Sequence, residues 1–325
     1  MAALGAAAAA VLGIALAAGG GGRSATATRT SRESVGAVPA RTRVRIARTG
    51  TLPAAVQDAA AAAVGLGRFL LMGGIDAGEA SVADVLLAGP AGARRVGALP
   101  TALHDASAAF LEGAAYLFGG GVVASFPEVT RVSAAGLTRP AGRLPTSASD
   151  TATATVGATA YVVGGYTGIT PLQTIVAWHP GQAPRVAGRL PKPLRYAAVA
   201  AVGGEVLIAG GTSGEAASRD VYRLDPASGA VTRIGVLPHG LTHAAAAAWG
   251  GEMVVFGGRG PSHSSQTRQI LAVSPDGSVR TVGQLPRALS DMAAAALGDG
   301  RIALAGGVDS AGAVQDGVLT ATFSG

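Results

Sequence analysis

Short apolar runs alternate with glycine-rich breaks along almost the whole chain, and no run has the length or the period of a helix. Phe69-Leu70-Leu71-Met72, Tyr161-Val162-Val163 and Val206-Leu207-Ile208-Ala209 are four-residue apolar strands or close to it, and each stops at a Gly-Gly doublet. A small-residue run precedes each of them, such as 59–64 or 244–249, and a more polar strand follows, such as Val221-Tyr222-Arg223-Leu224. A turn like Asp225-Pro226-Ala227-Ser228-Gly229 then leads to a fourth strand that ends in Gly-x-Leu-Pro. The predicted unit is therefore four short strands joined by tight turns.

The unit repeats six times. Gly-x-Leu-Pro begins at Gly50, Gly97, Gly142, Gly188, Gly235 and Gly283, and the doublets begin at Gly73, Gly119, Gly164, Gly210, Gly257 and Gly306. Successive doublets are 46, 45, 46, 47 and 49 residues apart. Four strands at such a period form a propeller blade. The small-residue runs suit the innermost strand, where blades crowd the axis. The doublets suit close backbone approach at positive φ, and the Pro after Leu suits the end of an outer strand.

The six doublets after apolar strands, and the segment Asp220-Val221-Tyr222-Arg223-Leu224-Asp225-Pro226, resemble the kelch family over about 43–325. The resemblance implies an all-β, six-bladed kelch β-propeller. Most repeats depart from the family's Tyr and Trp pair: Tyr222 is in place, while Val231 and Ala93 stand where Trp is common. The chain opens on a fourth-strand pattern, Arg43 to Arg48, and stops after a third-strand pattern, Val318 to Phe323. Six complete blades then require the last blade to be closed by the N-terminal strand, with Val44 and Ile46 beside 318–323.

The domain expectation is 1–22 signal peptide or hydrophobic anchor, 23–42 linker and 43–325 propeller. Residues 2–22 carry no charge, and Ala15-Leu16-Ala17 suits signal-peptidase cleavage, although no basic residue precedes the apolar run. A secreted, periplasmic or cell-envelope location follows. Membrane attachment through 2–22 is the alternative to cleavage.

Composition removes several chemistries. With no Cys, thiol chemistry, disulfides, Cys–zinc sites and a lipoprotein anchor are excluded. With no Asn, N-glycosylation is excluded. The net charge of +6 does not point to nucleic acid. Seven Arg and one acid, Glu33, lie between Arg23 and Arg48, which accounts for the whole net charge, so the remainder of the chain is neutral. No nucleophile elbow, phosphate loop or dinucleotide fingerprint is present, and no cofactor or metal is expected. His239-x-x-x-His243 has metal-like spacing but lies in a loop and lacks the accompanying Glu.

The candidate site is the face where the loops between second and third strands meet those entering the next blade. Five residues after each Leu-Pro proline stand Asp58, Asp105, Asp150, Tyr196, His243 and Asp291, which would ring the channel mouth. A recurrent Asp at a turn accepts backbone N–H bonds and seals blade to blade. Tyr196 and His243 break that pattern and mark the specific half of a ligand site. The second-to-third loops add Tyr166, Arg219, Arg259 and His263, together with Asp76, Glu79, Glu215 and Asp309.

Kelch repeats are mostly interaction scaffolds, so the resemblance implies a non-catalytic exported module that binds a protein, peptide or glycan through one face. Some exported kelch propellers mutarotate or epimerise sugars, for which Asp150, His243 and Asp291 would supply acid and base. A copper radical oxidase with kelch repeats needs a Cys joined to Tyr, which this chain lacks. A structural cell-envelope protein is the third alternative.

Overall fold

The computed structural model describes residues 43–324, apart from Leu66, Pro90 and Glu215. The expected leader and linker lie outside the described residues. Among those residues every regular element is a strand, and no helix is long and apolar enough to cross a membrane.

Six four-stranded antiparallel sheets form the blades. Blade 1 runs through Ala60–Gly65, Arg68–Met72, Asp84–Gly89 and Gly92–Ala98. Blade 2 follows with Ser107–Leu111, Ala114–Phe118, Glu128–Val132 and Thr138–Arg143. Blade 3 comprises Ala152–Val156, Thr159–Val163, Thr174–Trp178 and Arg185–Arg189. Blade 4 comprises Ala198–Val202, Glu205–Ala209, Asp220–Leu224 and Val231–Val236. Blade 5 comprises Ala245–Trp249, Glu252–Phe256, Gln269–Val273 and Val279–Gln284. Blade 6 takes Ala293–Ala296, Ile302–Ala305 and Gly317–Ser324 from the C-terminus, and its outer strand, Arg43–Thr51, from the N-terminus. Val44 pairs with Phe323 and Ile46 with Ala321, as the repeat count required.

Each hydrophobic core lies between two blades. Tyr161 and Ile175 of blade 3 pack with Ile208 and Tyr222 of blade 4, and Phe256 and Ile270 of blade 5 with Ile302 and Leu304 of blade 6. Val44 and Ile46 lean on the latter cluster, so the closing strand is part of a seam as well as of a sheet.

The repeated marks act at the seams. A Cβ on the first Gly of each doublet would stand 2.0 to 2.5 Å from a carbonyl oxygen of the following blade. The N–H of the second Gly donates to that same carbonyl at 2.8 to 2.9 Å, from Gly74 to Leu103 round to Gly307 and Val56. Only glycine permits this approach, and both positions have positive φ. The Leu of each Gly-x-Leu-Pro is buried, and its N–H donates to the stretch before its own blade's third strand. The Gly of that motif sits at a β-bulge; a Cβ on Gly97 or Gly235 would meet the turn of the next blade at 2.2 Å.

The absent family tyrosines have a visible consequence. Tyr222 of blade 4 is buried, and its hydroxyl donates to Asp220 at 3.0 Å. The register-equivalent residue of blade 2 is Thr130, and there a mostly apolar cavity of about 440 Å³ opens between Leu99, Leu103, Phe126, Val129, Thr130 and Pro140.

Candidate functional site

The six expected mouth residues form one closed ring. Each has φ between 55° and 60°, a left-handed conformation that Asp tolerates and Tyr and His adopt less readily. Each backbone N–H donates to the carbonyl of the preceding ring residue at 2.8 to 3.1 Å. The circle runs from Asp58 through Asp105, Asp150, Tyr196, His243 and Asp291 back to Asp58. Sealing was expected from Asp side chains that accept backbone N–H bonds. Backbone carbonyls accept them instead, so the side chains are free to differ.

The four carboxyls gather at the channel mouth, against a small cavity of about 130 Å³. Burial, then the neighbouring carboxylates, raises Asp58 and Asp105 well above the usual range. Asp291 and Asp150 stand beside Asp58 and Asp105 respectively, and their like charges add to the effect of burial. Burial also raises Asp291. Among the described residues no group of three or more His, Asp or Glu is placed to hold a metal ion.

The other side of the mouth is built differently. The rings of Tyr196 and His243 stack with centroids 3.6 Å apart and planes at 24°. The Tyr196 hydroxyl donates to Asp105 at 3.1 Å, which ties the two halves together. Arg259 Nη2 donates to His243 Nε2 at 3.0 Å. A guanidinium can only donate, so Nε2 carries no proton and Nδ1–H donates to Thr242 Oγ1 at 3.0 Å. Burial, then the charges of Arg259, Arg195 and His263, holds His243 down to about 2. The imidazole is therefore neutral, and its 3.9 Å approach to Asp291 is no ion pair. Both of its nitrogens are engaged, so the expected acid–base use of His243 has no free lone pair.

Beside this stack a polar cleft of about 490 Å³ opens over blades 3 to 5. Tyr166 and Pro171 wall it from blade 3, Thr212 and Ser213 from blade 4, and Arg259 and His263 from blade 5. Arg195 lies 4.2 Å from the Tyr166 ring centroid and 4.7 Å from that of Tyr196. Its Nη2 sits 2.5 Å from Asp150 Oδ2, an ion contact without hydrogen-bond alignment. Arg259 is only 8% exposed, and no carboxylate of the described residues lies within ion-pair distance of it. A buried cation without a close counter-charge is costly, and Arg259 lines the cleft.

Of the expected residues, Tyr166, Tyr196, His243, Arg259 and His263 meet in this cleft, while Asp58, Asp105, Asp150 and Asp291 stay at the channel mouth. Arg219 is exposed elsewhere and donates to the Leu237 carbonyl at 2.9 Å, and His239 does not line the cleft. Arg195, Thr212 and Thr242 were not foreseen. The repeat held a signal for Arg195 and Thr242: they stand one position before a ring residue, and that position also carries His104.

A profile described as the kelch motif matches residues 193–235, the region of blade 4 that holds Tyr196, Gly210 and Tyr222. Among solved structures, one titled "Structure of YjhT" matches with a TM-score of 0.72 and 16% identity, over 85% of this chain and 99% of that one. At that identity the likeness is one of fold. No curated protein matches the chain in sequence. The chain is thus a six-bladed β-propeller that carries a kelch motif in blade 4.

Proposed function

We propose that the protein is a binding module that takes part of a protein, peptide or glycan into the cleft over blades 3 to 5, and that the ligand brings an anionic group. Arg259 carries this reading: a buried guanidinium, unpaired among the described residues, faces a cavity of ligand size. Arg195 is already compensated by Asp150 and held between two tyrosine rings, so it shapes the wall. An array of acidic and neutral glycans and peptides, probed with the full-length protein and with Arg259→Gln, tests the reading. Acidic members should bind, and the variant should lose them by about thirtyfold or more. Equal binding by both proteins contradicts it.

A sugar mutarotase or epimerase is the second reading, favoured by Asp105 beside Tyr196, whose carboxyl burial raises well above the usual range. Anomerically pure sugars followed by NMR test it. Turnover lost in Asp105→Asn supports it, and unchanged anomer decay rules it out. Export through 1–22 remains part of the proposal, and a mature N-terminus near Ala18 is its test.

A further inference from the structure

Two loop tips on the cleft's face expose aliphatic side chains. Val123 of blade 2 is 99% exposed and its neighbour Val122 47%, while Ile169 of blade 3 is 84% exposed. Single exposed aliphatics are ordinary, but these tips belong to adjoining loops. The Ser125 hydroxyl donates to the Tyr166 carbonyl at 2.8 Å, and a Cβ on Gly168 would stand 3.8 Å from the Ser125 nitrogen. Tyr166 and Pro171, at either end of the Ile169 loop, also wall the polar cleft. An apolar rim therefore runs directly into a pocket that holds a buried guanidinium with no carboxylate of the described residues within ion-pair distance.

We propose that this surface receives the C-terminal end of a peptide, with its α-carboxylate on Arg259 and its last aliphatic side chains over Ile169 and Val123. The inference rests on the binding reading above and names its ligand. The charge of Arg259 calls for a carboxylate, and the aliphatic tips call for apolar side chains beside it. A glycan supplies the first without the second. The direction of the chain follows from the far side of the cleft. There the ring amides are all spent on one another, and Asp58, Asp105, Asp150 and Asp291 crowd the channel mouth. A chain that enters over the rim finds no further backbone partner there and meets acidic groups, so it ends in the cleft.

The test uses the full-length protein and short synthetic peptides ending in Val, Ile or Leu, each as free acid and as C-terminal amide. An oligouronate serves as acidic glycan, and an internal-Glu peptide with an amidated end serves as a side-chain carboxylate. Free acids should bind, and amidation should weaken them about thirtyfold or more. Val123→Ser with Ile169→Ser should weaken them about threefold to tenfold. These two side chains are exposed, so that variant should fold as the parent does, even if Arg259→Gln is damaged. Equal binding of acid and amide, or no effect of the Val123/Ile169 variant, overturns the inference. If the oligouronate or the internal-Glu peptide binds through Arg259 and the free acids do not, the cleft remains a binding site but this ligand is wrong. If no carboxylate probe binds, both fail.

Discussion

Four of the six residues around the channel mouth are aspartates and two are aromatic, yet all six hold the same left-handed backbone and the same circle of hydrogen bonds. On the acidic side the carboxyls crowd the channel mouth, and burial with like-charge repulsion raises Asp58 and Asp105. On the other, a neutral imidazole stacks on a phenol and opens onto a cleft with a buried arginine. The difference separates two roles at one repeat position. The backbone there is a seal, common to all blades. The side chain is free, and where it departs from the common residue it lines the cleft over blades 3 to 5.

The severest way to break the seal is to open the ring. The bond from Asp58 N–H to the Asp291 carbonyl joins blade 1 to blade 6, and blade 6 depends on the strand Arg43–Thr51. Deleting residues 1–50 should lower the melting temperature by about 10 °C or more and promote aggregation through exposed strand edges. Deleting 1–40 should leave it within about 2 °C. Equal melting of the two truncations, followed by circular dichroism, would show that the closing strand contributes nothing.

A single ring residue separates backbone from side chain more finely. Asp58→Pro removes a ring donor and forces negative φ, so it should cost about 3 kcal/mol or more. Asp58→Gly keeps the donor, relieves the left-handed strain and removes a buried, repelled carboxyl, so it should be neutral or stabilising by about 1 kcal/mol. If both variants lose stability alike in urea unfolding, the carboxyl and not the amide does the sealing.

The two sides should also titrate in opposite senses. Asp58 and Asp105 are raised on folding, so their contribution is full below about pH 4, the unfolded carboxyl value, and is lost as pH rises through the folded value. His243 is lowered to about 2, so its contribution is full above the unfolded value near 6.5 and is lost as pH falls below it. The slope for His243 in that window is about 1.4 kcal/mol per pH unit. His243→Gln should flatten the loss below pH 6.5, and Asp58→Asn should flatten the loss above pH 4. Melting curves across pH check both, and the same slope in parent and variant would discount the group concerned.

The smallest effect concerns packing between blades away from the mouth. Thr130→Tyr should place a ring in the cavity of blade 2 as Tyr222 does in blade 4, and stabilise by about 1 kcal/mol. A loss of stability in thermal melts would mean that the cavity is too tight or wrongly shaped for the ring.

The fold was legible because its constraints are steric and recur. A glycine whose Cβ would lie 2.0 to 2.5 Å from a carbonyl cannot be anything else, and six such glycines at near-even spacing spell out six seams. The closing strand was legible by counting, because Val44 and Ile46 had no other sheet to join. The mouth ring was legible as a position but not as a mechanism, since a side chain and a backbone amide leave the same recurrence in the sequence. The cleft was only half legible. Tyr196 and His243 stood out against the aspartates, and Arg195 and Thr242 could be found only through their place one position before the ring, while Thr212 had no pattern of its own. That no carboxylate of the described residues pairs with Arg259 is a property of three-dimensional neighbours, and Arg219, alike in sequence, turns to a backbone carbonyl instead. Missing family tyrosines suggested looser packing, and the cavity at Thr130 shows where one blade carries it.

The most direct measurement follows the Arg259 guanidinium itself. Side-chain Nε–H resonances of the arginines, assigned through Arg259→Gln, can be watched by NMR as sodium acetate is added at constant ionic strength. A carboxylate that enters the cleft should shift the Arg259 resonance saturably and leave that of Arg219 in place. Acetate that moves neither, or moves all arginines alike without saturation, would contradict a carboxylate site in the cleft.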